Sequence, residues 1–216
     1  MIVSLVTAIG CDAAIAQEAE NKAVQLQKST GTPPRATPED YQARTKVGDR
    51  TLAGEFTGHS VPTPDGVFET EDYVVVEVGM FGPPEARGKL VYQDFSLRIN
   101  GKKATIAAEP FEVVLRSLKD PEWIPPESSS SKSKTGLSTG GGAAGDNSPP
   151  PPVHMPFELK RAMELKVQKA ALPEGERPLP EAGLIFFPYH GKDKGIHSVE
   201  LLYAGSAGNA VLQFQQ

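Results

Sequence analysis

Residues 184–203 read LIFFPYHGKDKGIHSVELLY, and this stretch constrains the fold more than any other. An apolar run is followed by a Gly/Lys/Asp turn and then by a strongly alternating strand. Val199, Leu201 and Tyr203 fall on one side, Ser198 and Glu200 on the other. Alternation with period two sends successive side chains to opposite faces of a strand. The stretch therefore predicts a closing hairpin, with 184–187 and 197–203 as strands and 191–195 as the turn. Such a hairpin needs further strands to cover its apolar side.

The rest of the chain supplies them. In residues 73–81 (YVVVEVGMF), Val74, Val76, Val78 and Met80 share one face, and Glu77 predicts that the other is partly exposed. Phe95, Leu97 and Ile99 alternate with Ser96, Arg98 and Asn100, and Asn100-Gly101 predicts a type I′ turn into a return strand over 102–107. Phe111, Val113 and Leu115 alternate with Glu112, Val114 and Arg116, which predicts another strand. Leu52 and Phe56 open the folded domain near Thr51, and Ala210, Leu212 and Phe214 close it. The total is about seven to eight short strands joined by turn-rich loops, a mostly β chain of sandwich or barrel type.

Composition limits how much of the chain folds. Of 216 residues, 21 are Gly and 20 are Pro, and only 38% are hydrophobic. The run of serines at 128–131, the glycines at 140–142 and the prolines at 149–152 cannot build a core, so 127–152 reads as a disordered insert. Residues 156–172 (PFELKRAMELKVQKAAL) predict the one helix, with Leu159, Met163 and Val167 as its apolar stripe and Ala170 beside it. Pro156 suits its first position, and Pro173 ends it.

The amino terminus points to export. Residues 1–16 (MIVSLVTAIGCDAAIA) carry a short apolar core and a small-x-small cleavage signal at Ala14-Ile15-Ala16, though no basic residues precede the core. A second reading takes Ala8-Ile9-Gly10-Cys11 as a lipobox, with Cys11 lipidated and serving as an anchor. A third leaves the segment uncleaved in a cytosolic protein. On the export readings the protein is extracytoplasmic, either periplasmic or secreted. Residues 17–50 read as a polar tether before a domain spanning 51–216. Cys11 is the sole cysteine, so no internal disulfide forms. The formal charge of −5 argues against a nucleic-acid partner, and no run of about 18 apolar residues predicts a membrane span.

A family resemblance rests on Tyr73 through Phe81, on Asp94-Phe95-Ser96-Leu97-Arg98 leading to Asn100-Gly101, on Leu172-Pro173-Glu174-Gly175-Glu176, on Gly183-Leu184-Ile185-Phe186 and on Val199-Glu200-Leu201-Leu202-Tyr203. In this order they resemble the telokin-like, immunoglobulin-fold domains of unknown function found in exported bacterial proteins and lipoproteins. The resemblance covers 73–204, interrupted by the insert. It implies an immunoglobulin-like β-sandwich with one inserted α-helix and a long disordered loop. It carries over no functional residues.

Candidate chemistry is sparse. His190 and His197 flank the 191–195 turn, but no further ligands are set by spacing, so they read as solvated turn residues; His59 and His154 lie in loops. Glu69, Glu71 and Asp72 lack the spacing of a calcium loop, and the three glycines at 140–142 lack the Lys-Ser/Thr of a phosphate loop. Asp120 and Glu122 are a carboxylate pair whose separation across a cleft the sequence does not define. Trp123, between Pro121 and Pro125, reads either as a strap on the domain edge or as a stacking platform for a ligand. No motif calls for a cofactor or a metal. The leading expectation is a non-enzymatic interaction or envelope-structural module with a protein or envelope partner. A ligand- or glycan-binding module centred on Trp123 is the second, and a hydrolase the third.

Overall fold

The computed structural model describes residues 29–124 and 154–215. In chain order the elements are β1 (Ala43–Val47), β2 (Arg50–Gly58), β3 (Ser60–Thr63), β4 (Gly66–Thr70), β5 (Tyr73–Phe81), β6 (Arg87–Leu90), β7 (Phe95–Ile99), β8 (Ile106–Ala107), α1 (Phe111–Val114), β9 (Leu118–Lys119), α2 (Phe157–Ala170), β10 (Gly175–Pro178), β11 (Glu181–Pro188), β12 (Ser198–Gly205) and β13 (Gly208–Gln215). The chain is thus mostly β, with 13 strands and one long helix among the described residues. The leader, Cys11 and the 127–152 insert lie outside the described residues.

Two four-stranded antiparallel sheets dominate, ordered β1-β2-β5-β11 and β13-β12-β7-β8. One apolar cluster draws on both, joining Val76, Val78 and Phe187 from the first to Leu97, Leu201 and Phe214 from the second. The alternation of β7, β12 and β13 places their odd or even apolar sets on this core, as the sequence predicts. The turn at Asn100-Gly101 has positive φ at both residues, 53° and 64°, and Lys102 N donates to Ile99 O at 3.2 Å. The Asn100 side chain holds the chain entering β12: Oδ1 accepts from His197 N at 2.8 Å and Ser198 N at 3.2 Å, and Nδ2 donates to Gly195 O at 2.7 Å.

The predicted closing hairpin does not form. β11 pairs with β5 in the first sheet, whereas β12 pairs with β13 and β7 in the second. The 189–197 segment is therefore a crossover between sheets. Its turn chemistry is genuine, with a single 3-10 turn at Asp193–Gly195, but turn chemistry alone does not say which sheet the chain enters next.

The second face of β5 is also not exposed. Val75, Leu184 and Phe186 point away from the main core into a second cluster with Met163, Val167 and Ala170 of α2, Val61 and Phe68 of β3 and β4, and Val114 and Leu118. β5 and β11 are covered on both faces, which explains their near-continuous apolar sequences. Glu77 shares the outer face and is 9% exposed. Its carboxylate accepts from Arg35 Nη2 at 2.8 Å, and the same nitrogen pairs with Glu55. Arg35 stacks on Tyr41, with Cζ 4.6 Å from the ring centroid. Gly79 makes room below, since a Cβ there would come within 2.7 Å of Tyr41 Oη.

Arg35 and Tyr41 belong to a segment expected to be a tether. Residues 29–42 instead lie against the fold and lead into β1, so ordered structure begins before the expected start at Thr51. Ser29 Oγ donates to Leu172 O at 3.2 Å, and Thr32 bridges Ala182 on β11. Thr32, Leu172 (N to Leu184 O, 2.9 Å) and Glu109 (N to Phe186 O, 2.9 Å) together cover the free edge of β11.

Two further expectations change. Residues 111–114 form helix α1, not a strand: Val113 is exposed while Val114 is buried in the second cluster, and Leu118 of β9 joins it there. In α2 the buried stripe is Met163, Val167 and Ala170, with Pro156 as the N-cap residue; Leu159 is 53% exposed, so the predicted stripe does not extend into the first turn.

Candidate functional site

Trp123 is placed by a local turn. After β9 ends at Lys119, Trp123 N donates to Asp120 O at 3.2 Å, and Asp120 Oδ1 accepts from Glu122 N at 2.9 Å. This turn sets the half-buried indole against a groove of about 680 Å³. Leu118 and Met163 line its buried part, with Met155, His154, Lys119, Asp120 and Lys160 around them. The volume falls within the range of about 300–1,000 Å³ found for ligand pockets. Next to these residues in the chain, Ile124 is 83% exposed and Phe157 68% exposed. Lys119 is paired with Glu71, and Lys160 lies 4.0 Å from Glu164, so the cations at the rim already have partners.

A second cavity, of about 320 Å³, opens where β11 meets the segments leaving β8 and α2. Tyr92, Glu109, Glu112 and Glu174 line it together with Ser29 and Phe111. Glu109 accepts from Tyr73 Oη at 3.0 Å. Burial, and then this hydrogen bond to a carboxylate, raise the Tyr73 phenol above its ordinary value, so it remains a donor. The glutamates of this cavity are spread over residues 109–174 and only the fold collects them.

The remaining sequence candidates are dispersed. His190 Nδ1 lies 3.1 Å from Asp72 Oδ1 at an exposed position, while His197 is exposed and contributes its backbone N–H to Asn100. His59 has a structural role the sequence did not suggest: Nε2 lies 2.7 Å from Gly191 O, which holds the crossover against the end of β2. Glu71 and Asp72 turn to different partners, Lys119 and His190. Among the described residues no group of three or more His, Cys, Asp or Glu side chains is placed to hold a metal ion. No helix among them is long and apolar enough to cross a membrane.

No family model, curated protein or solved structure matches this chain.

Proposed function

We propose that this chain is a non-catalytic interaction module that works outside the cytoplasm, built as an immunoglobulin-like sandwich and binding a protein partner at the Trp123 groove. The observation that carries this reading is a half-buried indole set against an apolar pocket floor, with exposed apolar residues, Ile124 and Phe157, close by in the chain. Large aromatic side chains beside desolvated pockets dominate binding energy at protein interfaces, and exposed apolar patches mark such surfaces. The partner that suits this groove presents an apolar side chain to Leu118, Met155 and Met163 and stacks part of its surface on Trp123. The export reading rests on the apolar leader and its Ala14-Ile15-Ala16 signal, and the immunoglobulin-like reading on the order of strand motifs across 73–204.

The test is capture of a partner from an envelope extract by the full chain, followed by an affinity measurement with the identified protein. Trp123→Ala is expected to weaken binding by about 2 kcal/mol or more, roughly thirtyfold, with unchanged thermal unfolding. Equal affinity in the variant counts against the groove as the contact site. Processing at Ala16 is read from the mass of the mature protein, and an intact Met1 on a cytosolic protein counts against export.

The same indole also favours a second reading, a glycan stacked on Trp123 with Asp120 and His154 as hydrogen-bonding neighbours. A glycan array with no hit removes it.

A further inference from the structure

β5 and β11 form one long antiparallel ladder, and the chain continues past its end as a second, two-stranded ribbon of β6 and β10. The segments 82–86 and 179–180 join the ladder to the ribbon, with Leu179 N donating to Ala86 O at 2.9 Å between them. Two-stranded ribbons are marginal by themselves. Within its two strands only Leu90 and Gly88 are buried, so Leu90, with Leu179 packed beside it at the junction, is the main apolar anchor that an opening must release.

Glu181 stands at this junction. It is the first residue of β11 and pairs with Met80. By period two it lies on the same side as Ile185 and Phe187, the side of the main core. Its side chain is 8% exposed. Oε1 lies 3.3 Å from Arg177 Nε, and Oε2 is buried without a partner. Arg177 is carried on the ribbon itself, where its Nη2 also reaches Ser29 O at 3.5 Å. Of the other charged groups on the ribbon, Arg87 lies 3.5 Å from Glu176, Lys89 is exposed and stands opposite Glu176 in the ladder, and Arg50 of β2 donates to Arg87 O. On β5 the residue opposite Glu181 in the ladder is the apolar Met80, and Ser29 offers a carbonyl already facing Arg177.

We propose that Glu181 is a proton-operated latch at the junction of the β5–β11 ladder and the β6–β10 ribbon, closed while its carboxyl is neutral and loosened when it ionises. The ionised form must leave one oxygen unpaired in the core, and the cheapest relief is to lift the ribbon and let water reach it. Lifting the ribbon also carries Arg177 away, so the closed state has both the burial and the counter-charge. Burial dominates: it raises the Glu181 carboxyl from the ordinary 4.5 to about 7, with Arg177 opposing. A raised carboxyl favours closure below about pH 4.5, and that contribution is lost as the pH rises to about 7, beyond which the opening equilibrium levels off. Arg177 releases Ser29 in the same movement, and Ser29 lines the 320 Å³ cavity, so the latch connects proton concentration to that cavity's wall.

Hydrogen exchange of the full chain between pH 4 and pH 8, corrected for intrinsic rates, tests this. Opening of the β6 and β10 amides is expected to rise by about tenfold per pH unit between roughly 4.5 and 7, about a hundredfold or more in total, while β7 and β12 amides hold steady. Glu181→Gln is expected to abolish the rise, and Arg177→Gln to extend it above pH 7 because the counter-charge is gone. A carboxyl-carbon titration of wild-type Glu181 is expected to centre near 7. Flat ribbon exchange in the wild type overturns the proposal, as does the same rise in Glu181→Gln or a Glu181 midpoint near 4.5. If Glu181→Gln does not fold, the wild-type titration and Arg177→Gln still decide.

Discussion

Phe186 and Phe187 are neighbours on β11, 1% and 0% exposed, and they enter different clusters. A strand with one solvated face would bury only one of them. Truncation of a buried phenylalanine to alanine costs about 3–5 kcal/mol, because the lost transfer energy adds to that of the cavity left behind. Replacing a surface side chain usually changes stability by no more than about 0.5 kcal/mol. Phe186→Ala and Phe187→Ala are therefore both expected to lower stability by about 3–5 kcal/mol, read from the urea midpoint at constant slope. Each loss approaches the whole stability of a typical domain, about 5–15 kcal/mol, so coupling is better measured with Phe→Leu. Val167 shares its cluster with Phe186 and not with Phe187. A cycle between Phe186→Leu and Val167→Ala is expected to show an interaction of about 0.5 kcal/mol or more, and the cycle with Phe187→Leu to add within that amount. A loss below about 1 kcal/mol for Phe186→Ala would refute the packing of α2 over the outer face of the first sheet.

Glu77→Lys places a second cationic group beside Arg35 at a position 9% exposed, and is expected to cost about 3–5 kcal/mol in the same assay. Asn100→Gly keeps the positive φ but removes three side-chain hydrogen bonds to the start of β12, whereas Asn100→Ala loses both; about 1–2 kcal/mol is expected for the first and about 1 kcal/mol more for the second, and equal losses would show that the backbone conformation contributes nothing.

The strands were legible wherever one face is core and the other is solvent. β7, β12 and β13 alternate between buried and more exposed positions, and no described element covers the outer face of their sheet, so period two reports burial directly. β5 is the converse case. Glu77 on its second face predicts partial exposure, yet that carboxylate is buried because Arg35 arrives from more than forty positions earlier to neutralise it. A single charged residue on a strand signals exposure only when no distant partner reaches it. Residues 111–114 misled for a related reason: FEVVL satisfies both periods over so short a span, and only the second cluster decides that Val114 turns inward. Of the candidate site, Trp123 was visible as a lone tryptophan between prolines. Its groove was not, since Met163 and Lys160 arrive on α2.

By itself, then, the sequence determined the β character, the Asn100-Gly101 turn, the helix near 157–170 and the inward residues of the second sheet. These depend on interactions within a few residues, where side-chain period and backbone preference are encoded directly. The tertiary structure alone decided that the 184–203 stretch crosses between sheets, that β5 and β11 are covered twice, and that Glu181 is sealed beside Arg177 at the ribbon junction. Those outcomes depend on which distant segments settle on an edge or a face, and the free energy of that choice is shared among residues the local pattern never brings together.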